Sequence, residues 1–529
     1  MKRVAVIGAG VSGLVSIKIC LEDGLEPVCF ERTNYIGGLW VVPEEERTDP
    51  RGPSCIYKGL VTNVCKSMMA FSDFPFPPEW PPFLQGEHVL EYYRNYANHF
   101  DLKNIRFNTK VVQVEKADDF EKTGRWIVRS QCKDEDVKIE VYDAVMVCTG
   151  LHSSGFVPEF PGMSEFKGQV LHTCQFRRGS DFKDRTVVVV QAILLVMRRF
   201  CALIMLKSMK EGSWIIPRVF GNQPVDVLLN RRWRDAIPSW LVRRMTDRTM
   251  KSLQDWDGLG LRRQTPPHKS PAMISDRLPM DIMSGRVSIR SGIQRFQGSK
   301  VVFDDGKEMD DVDCVIFGTG YRLRIPFVDD SILSDDLGRL DLYLHVFPPN
   351  LTHHTMAAVG YIVATHSATG SVAELQARYA VQVFKGEAKL PSLPEMMSDI
   401  HARRDRTFKQ FGQHKPLIVP SKYQDRLARE IGVLPSLWKL LFTDPKLAFS
   451  FYFHPNYPMC YRLVGPHAMP GTREAFLRGS EDLMHGVTLR SVRNKSKPLS
   501  RETSTGVSKL LVLCVLIVSL ILAYLIARV

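Results

Sequence analysis

Six residues near the start of the chain, Gly8-Ala9-Gly10-Val11-Ser12-Gly13, have the types and spacing of a diphosphate cradle. An apolar run, Arg3–Ile7, precedes them, and Leu14, Ile17 and Leu21 follow at helical spacing. Gly24 closes that helix, and a second apolar run, Pro27–Phe30, ends at an acid, Glu31. Gly8 permits a tight turn, Gly10 lets the backbone approach a pyrophosphate, and Gly13 lets helix and strand pack closely. The helix start at Val11, Ser12 and Gly13 offers free N–H groups and partial positive charge to phosphate, with Ala9 completing the turn. Glu31 would accept hydrogen bonds from an adenosine ribose. A glycine fingerprint alone is weak evidence. With a strand before it, a helix after it and an acid at this spacing, it predicts a dinucleotide site.

The elements that must position this site exceed one domain. The chain has 529 residues, 44% hydrophobic and 24% charged, which excludes a disordered or fibrous protein. Its eleven cysteines are dilute, and the nearest pair is Cys20 and Cys29. That removes a cysteine zinc ribbon and a local redox disulfide, and no metal is expected. The net charge of +13 suits phosphate cofactors or anionic lipid. No basic run with interleaved aromatics points to nucleic acid, and none is expected as partner. Twice a hairpin feeds an apolar strand that stops at Thr-Gly: Trp126–Tyr142 into Ala144–Gly150, and Lys300–Asp305 into Val312–Gly320. The repeat predicts an α/β fold with two Rossmann-like dinucleotide-binding domains, the second inserted in the first. Residues 1–154 open the first domain, 155–330 form the insertion, and 331–507 return to the first domain and cap it. Leu510–Ala527 is an 18-residue run without charge, Gly or Pro, long enough as a helix to cross a bilayer. Arg490, Arg493, Lys495, Lys497, Arg501 and Lys509 precede it, against Glu502 alone, which keeps the upstream chain cytosolic. Residues 508–529 are thus expected to be a transmembrane tail anchor.

The sequence resembles the flavin-containing monooxygenases, a microsomal family that uses FAD and NADPH. Glu31-Arg32 followed by Ile36-Gly-Gly-Leu39-Trp40 carries the likeness, with Tyr57, Val61-Thr62-Asn63 and Phe71-Ser-Asp-Phe-Pro75. Phe166-Lys-Gly168 with His172, Phe317-Gly-Thr-Gly-Tyr321, Glu374-Leu-Gln-Ala-Arg378, Asp444-Pro-Lys-Leu-Ala448 and Tyr461-Arg-Leu-Val-Gly-Pro466 extend it along nearly the whole chain. The resemblance implies FAD on the first domain, with Leu39 and Trp40 among its contacts, and reduction by NADPH. Oxygen would then add to the flavin as a C4a-hydroperoxide and be handed to a small lipophilic amine or sulfide. It implies an endoplasmic reticulum location, with the lipid bilayer as partner. It places Thr62 and Asn63 at the flavin's reactive edge, with Asn63 the catalytic residue. On residue type alone Asn63 reads as a turn or cap residue and His172 as a structural histidine; within its motif His172 is a linker residue coupling the domains.

The chain departs from the family at the second cofactor. The family carries a second glycine fingerprint after the first strand of the inserted domain. Here Thr186–Val190 is followed by Gln191-Ala-Ile-Leu-Leu-Val196, and no glycine occurs between Gly179 and Gly212. From Val187 to Leu206, 17 of 20 residues are apolar. Three readings compete: a membrane helix, disfavoured by Arg198-Arg199; a rebuilt core element; and an out-of-frame or aberrantly spliced stretch over residues 191–211. The last fits the abrupt break and return of the pattern best. Lys210 stands where the family has an arginine for the 2′-phosphate, and Gly360-Tyr-Ile-Val-Ala-Thr-His366 lacks the family's glutamine. NADPH binding is therefore in question. The expected function is NADPH-dependent oxygenation, and the rivals are an FAD-binding pseudoenzyme and an uncoupled NADPH oxidase that releases hydrogen peroxide.

Overall fold

The apolar run at the N-terminus becomes the central strand of a parallel sheet. In the computed structural model, which describes residues 1–42, 53–133, 135–190, 205–208, 213–221, 223–261, 263–269, 272–333, 340–364, 367–411 and 416–489, this strand is β1 (Arg3–Ile7). The glycine turn leads into α1 (Val11–Glu22), and the chain returns as β2 (Glu26–Phe30). Helix α2 (Gly86–His99) and β3 (Ile105–Arg106) follow. An antiparallel trio, β4 (Thr109–Lys116), β5 (Trp126–Cys132) and β6 (Lys138–Tyr142), then feeds β7 (Ala144–Val147).

At β8 (Ser154–Gly155) the chain crosses to a second sheet, built from β9 (Gln169–His172), β10 (Val187–Val190) and β11 (Met205–Ser208). A short helix, α3 (Val225–Leu229), and β12 (Val287–Arg290) follow. A second antiparallel trio, β13 (Ile293–Gln297), β14 (Lys300–Phe303) and β15 (Glu308–Met309), feeds β16 (Cys314–Phe317). The chain crosses back at β17 (Tyr321–Arg322) and rejoins the first sheet as β18 (Met356–Ala358), followed by α4 (Thr369–Lys385).

The strand orders are β18-β7-β1-β2-β3 and β12-β11-β10-β16-β9, with every neighbouring pair parallel. All strands of the second sheet lie between β7 and β18 in sequence, so two Rossmann-type units are present and the second interrupts the first. Strands β7, β10 and β16 are buried at every residue. Such strands read as unbroken apolar runs because a parallel sheet is covered on both faces. The two crossing segments pair with each other, Gly155 opposite Tyr321. The inserted unit also touches the first one through α3 and the residues after it. Val227 packs in the core of the first unit, and Arg232 makes a two-pronged ion pair with Asp425 at 2.8 and 2.9 Å.

Helix α1 was expected to bury one face through Leu14, Ile17 and Leu21. It is instead buried on all sides from Ser12 to Cys20, while Leu21 is exposed. The cause is α4, which packs along α1 in addition to β1 and β2. Close approach there requires small residues. A Cβ on Gly360 would lie 2.1 Å from Ser12 Oγ, and one on Gly370 would lie 2.9 Å from Val11 Cγ2.

The far end of α1 is fixed by a buried ionic cluster. The Arg462 side chain has no exposed surface. Its Nη2 donates to Asp73 at 2.8 Å and to Glu374 at 3.1 Å, Nη1 to Glu22 at 3.2 Å, and Nε to Ser72 at 2.7 Å. Lys18 of α1 pairs with Glu22 at 2.7 Å and with Asp73 at 2.6 Å. Arg378 donates to the carbonyls of Tyr461 and Pro466, both at 3.1 Å. Three motifs far apart in sequence thus form one structural unit around α1.

Among the described residues no helix is long and apolar enough to cross a membrane. The run at 510–527, expected to do so, lies outside the described residues, as do Lys210 and the glycine-free stretch 191–204.

Arg462→Ala leaves Glu374 buried without the counter-ion the cluster gives it, and leaves Asp73 with Lys18 alone. Breaking a buried pair in this way costs about 3–5 kcal/mol. Urea unfolding followed by circular dichroism should show a loss of that size. Arg462→Lys, which keeps the charge and loses the fork, should fall between the two. A parental midpoint for the alanine variant would contradict the role given to the cluster.

Candidate cofactor site

The glycine turn folds as its residue types require. Gly8 adopts φ +102°, and a Cβ there would lie 3.0 Å from the Cys148 carbonyl oxygen. A Cβ on Gly13 would lie 1.8 Å from the Gly8 carbonyl oxygen, so no larger residue fits. Gly10 differs. Its backbone is extended, at φ −76° and ψ −170°, and a Cβ would meet only Gly38, at 3.7 Å. Gly10 therefore leaves space in front of the turn, whereas Gly13 closes a gap behind it.

That space has the features an anion needs. Gly10 is the N-cap of α1, no side chain caps the helix, and its first turn holds no acid. The leading N–H groups of α1, from Val11, Ser12 and Gly13, face outward with the positive end of the helix dipole. Buried Glu31 stands beside them. Its Oε2 accepts from the Ala9 N–H at 2.8 Å, and its Oε1 accepts from the Thr33 N–H at 3.0 Å and the Thr33 hydroxyl at 2.8 Å. A carboxylate offers about four acceptor positions, so one stays open for a ribose hydroxyl. Glu31 also ties the end of β2 to the glycine turn, a role the sequence did not indicate.

A second glycine pair backs the first. The Gly37 N–H donates to the Ala9 carbonyl at 3.0 Å, and a Cβ on Gly38 would lie 3.1 Å from the Gly10 Cα. Leu39 and Trp40 follow on the same short 3₁₀ turn, Leu39 exposed and Trp40 half-buried with its ring 6.5 Å from Tyr93. The structure thus brings Gly8–Gly13, Glu31 and Gly37–Trp40 together, and these residues fit a dinucleotide such as FAD.

Thr62 and Asn63 form a separate group. Buried Thr62 accepts the Leu84 N–H on its hydroxyl at 3.0 Å, and Asn63 is half-buried. Both meet a residue that sequence reasoning missed, Arg218. Its Nε donates to the Thr62 carbonyl at 2.9 Å, and its Nη2 donates to Asn63 Oδ1 at 2.6 Å. Asp276 holds Arg218 from the other side, accepting its backbone N–H at 2.8 Å and Nη1 at 2.7 Å. Asp226, also missed, accepts the Cys65 N–H at 2.8 Å, and burial pushes its carboxyl pKa up. Single acids and arginines in a chain with 70 Lys and Arg and 57 Asp and Glu carry no signal of their own.

His172 is fully buried and occupied at both ring nitrogens. Nε2 lies 3.0 Å from the Gly320 carbonyl, and Nδ1 accepts the Cys174 N–H at 3.2 Å. These partners assign the Nε2–H tautomer, and burial lowers the pKa, which keeps the ring neutral. The ring braces the crossing segments and has no free nitrogen for moving a proton.

In the second sheet β10, ending at Val190, holds the position that β1 holds in the first. The connection to β11, residues 191–204, is shorter than residues 8–25 that join β1 to β2, and it contains no glycine. Those residues, Lys210 and His366 lie outside the described residues. Among the described residues no cluster of His, Cys, Asp or Glu is suited to hold a metal ion.

Comparison with known proteins gives a consistent picture. A family described as flavin-binding monooxygenase-like matches residues 1–525. Flavin-containing monooxygenase 5 of Cavia porcellus is 38% identical over 99% of this chain and 99% of its own. The N-oxide-forming dimethylaniline monooxygenase 2 of Rattus norvegicus is 37% identical over 94% of this chain and 96% of its own. Among solved structures, the S-allyl-L-cysteine S-oxygenase from Allium sativum superposes with TM-score 0.61 at 24% identity, covering 90% of this chain and 98% of that one. A cyclohexanone monooxygenase mutant from Rhodococcus bound to NADP⁺ gives 0.59 at 15% identity, over 82% and 97%.

The two glycines predict opposite phenotypes. Gly13→Ala should fail to fold, since its Cβ meets backbone at 1.8 Å. Gly10→Val should fold, because only Gly38 is near, yet purify colourless because its side chain fills the phosphate space. Absorbance at the flavin band and circular dichroism check both. A folded Gly10→Val protein carrying a full complement of FAD would overturn the site.

Proposed function

The chain belongs to the flavin-binding monooxygenase family, and on that premise we propose that it oxygenates small lipophilic amines at nitrogen, or sulfides at sulfur. It is an enzyme of the flavin-containing monooxygenase type, and the cofactors of that type are FAD and NADPH. Bound FAD, reduced by NADPH, supplies the oxygen chemistry: one atom of O₂ goes to the substrate and the other leaves as water. The protein's own part is binding, orientation and exclusion of water. The N-terminus of α1 would neutralise the flavin's diphosphate, Glu31 would orient the ribose, and Thr62 and Asn63 would stand at the reactive ring. One observation carries the reading: an uncapped, acid-free helix start behind Gly10, with buried Glu31 at its edge. The amine class is supported by the N-oxide-forming relative, 37% identical to this chain.

A second reading is favoured by the glycine-free stretch after β10. In a dinucleotide turn, side chains in place of the glycines would put β-carbons where a pyrophosphate must sit and would remove the N–H cradle. Charge-assisted hydrogen bonds contribute about 1.5–3 kcal/mol each, so losing two weakens binding at least about a hundredfold. Lys210 retains a point charge for the 2′-phosphate but not the planar fork of an arginine. In this reading the chain holds FAD as a pseudoenzyme, or it oxidises NADPH and loses the electrons to hydrogen peroxide. Product analysis with NADPH, oxygen and a tertiary amine separates the readings. Oxygenated amine in step with NADPH consumed supports the first, and peroxide in its place supports the oxidase. No consumption supports the pseudoenzyme. Restoring a Gly-x-Gly-x-x-Gly turn and the missing helix length after Val190 should then raise NADPH consumption at least about tenfold.

We assign residues 508–529 to a membrane anchor in the endoplasmic reticulum, with the catalytic part cytosolic. The support is the apolar run 510–527 and the basic residues before it. Deleting 508–529 should move most of the protein to the soluble fraction after lysis. Full retention of the truncated chain with the membranes would remove the assignment.

A further inference from the structure

Arg218 comes from the inserted unit and ends on the first one. Its guanidinium is 3% exposed and held on every side by acceptors. Nε donates to the Thr62 carbonyl at 2.9 Å, and Nη1 to Asp276 at 2.7 Å. Nη2 donates to Asn63 Oδ1 at 2.6 Å and points to the Val61 carbonyl at 3.4 Å. The Arg218 backbone N–H also donates to Asp276, at 2.8 Å.

This arrangement decides what Asn63 can do. A free asparagine amide offers an acceptor at one end and a donor at the other, and a half-turn about its last torsion exchanges them. Arginine only donates. The half-turn would set the Asn63 NH₂ against the guanidinium N–H groups, so Oδ1 must face Arg218. A charge-assisted bond favours this orientation by roughly ten- to a hundredfold. The Asn63 NH₂ then faces away from Arg218.

We infer that Arg218 is a positioning residue that makes Asn63 a hydrogen-bond donor at the flavin edge, and that docking of the inserted unit onto Thr62 and Asn63 sets this polarity. The inference rests on the proposed place of Asn63 beside the flavin. Withdrawal of Arg218 from Thr62 and Asn63 would free the amide to turn. Asn63 chemistry is thereby tied to the position of the unit that binds the nicotinamide cofactor.

The test uses full-length FAD-loaded protein with Arg218→Ala, Arg218→Lys, Asn63→Ala and the Arg218→Ala/Asn63→Ala double variant. The flavin is photoreduced, so no NADPH is needed, then mixed with oxygen, and the return of oxidised-flavin absorbance is timed. Loss of the Asn63 donor should speed this return at least about tenfold. Arg218→Ala should match Asn63→Ala, the double variant should be no faster than either, and Arg218→Lys should be intermediate. Urea unfolding of these four variants and the parental protein without FAD should show coupling between the two positions, equivalent to about ten- to a hundredfold in the unfolding constant. If Arg218→Ala fails to retain FAD, Arg218→Lys carries the comparison. A parental rate in the Arg218 variants beside a fast Asn63→Ala, or effects that multiply in the double variant, would overturn the inference. A parental rate in Asn63→Ala would overturn it together with the placement of Asn63. Failure of NADPH to reduce the protein affects neither arm.

Discussion

A guanidinium sealed from water, that of Arg462, sets the direction of the helix on which cofactor binding depends. A buried charge is tolerated only when paired and hydrogen-bonded, and Arg462 has Asp73, Glu374 and Glu22 within 3.2 Å. Lys18 balances two of the same acids from α1 itself. The cluster therefore joins the far end of α1 to α4 and to the chain near residue 462. Rotation of α1 would separate charges in a low-dielectric interior. With one end fixed, the other end points its free N–H groups at the space in front of Gly10. The glycines at 360 and 370 complete the constraint by letting neighbouring backbone reach Ser12 and Val11.

The two units depend on each other in an asymmetric way. The glycine turn, Glu31 and Gly37–Trp40 of the first are close in sequence and rest on its own core. The second reaches the site through the paired crossing strands β8 and β17, braced by neutral His172, and through Arg218, Asp226, Val227 and Arg232, which contact the first unit. Arg218 and Asp226 are the contacts next to Asn63, and both come from the inserted unit. We propose that a change after β10 spares flavin binding, because Gly8–Gly13, Glu31 and Gly37–Trp40 all belong to the first unit.

The β1–turn–α1–β2 unit was legible because each of its signals is local: apolar run, glycine spacing, helix stop and terminal acid. The second sheet was legible from the repeat of hairpin, apolar strand and Thr-Gly. Burial of α1 on all sides was not, because it is set by α4, more than three hundred residues later. The motifs at 71–75, 374–378 and 461–466 were recognisable by resemblance, but their common purpose in one ionic cluster appears only in three dimensions. Glu31 was read as a ribose acceptor, and its bonds to Ala9 and Thr33 add a structural task. Gly10 and Gly13 looked alike in sequence and differ in what surrounds them. Arg218 had no local pattern, and its partners Asn63 and Asp276 lie far from it along the chain. The stretch after Val190 shows its anomaly by composition alone.

In the second of the two proposed readings, the flavin half of this enzyme holds FAD while the anchor for its reductant is weakened. Anaerobic stopped-flow mixing of the purified yellow protein with NADPH tests it most directly. Hydride transfer needs the nicotinamide held about 3–3.5 Å from the flavin, and that placement depends on the pyrophosphate anchor. The account predicts that bleaching of the flavin band will need at least about a hundredfold more NADPH than in the 38%-identical relative, or will be slower by the same factor. Fast bleaching that saturates at micromolar NADPH would contradict it.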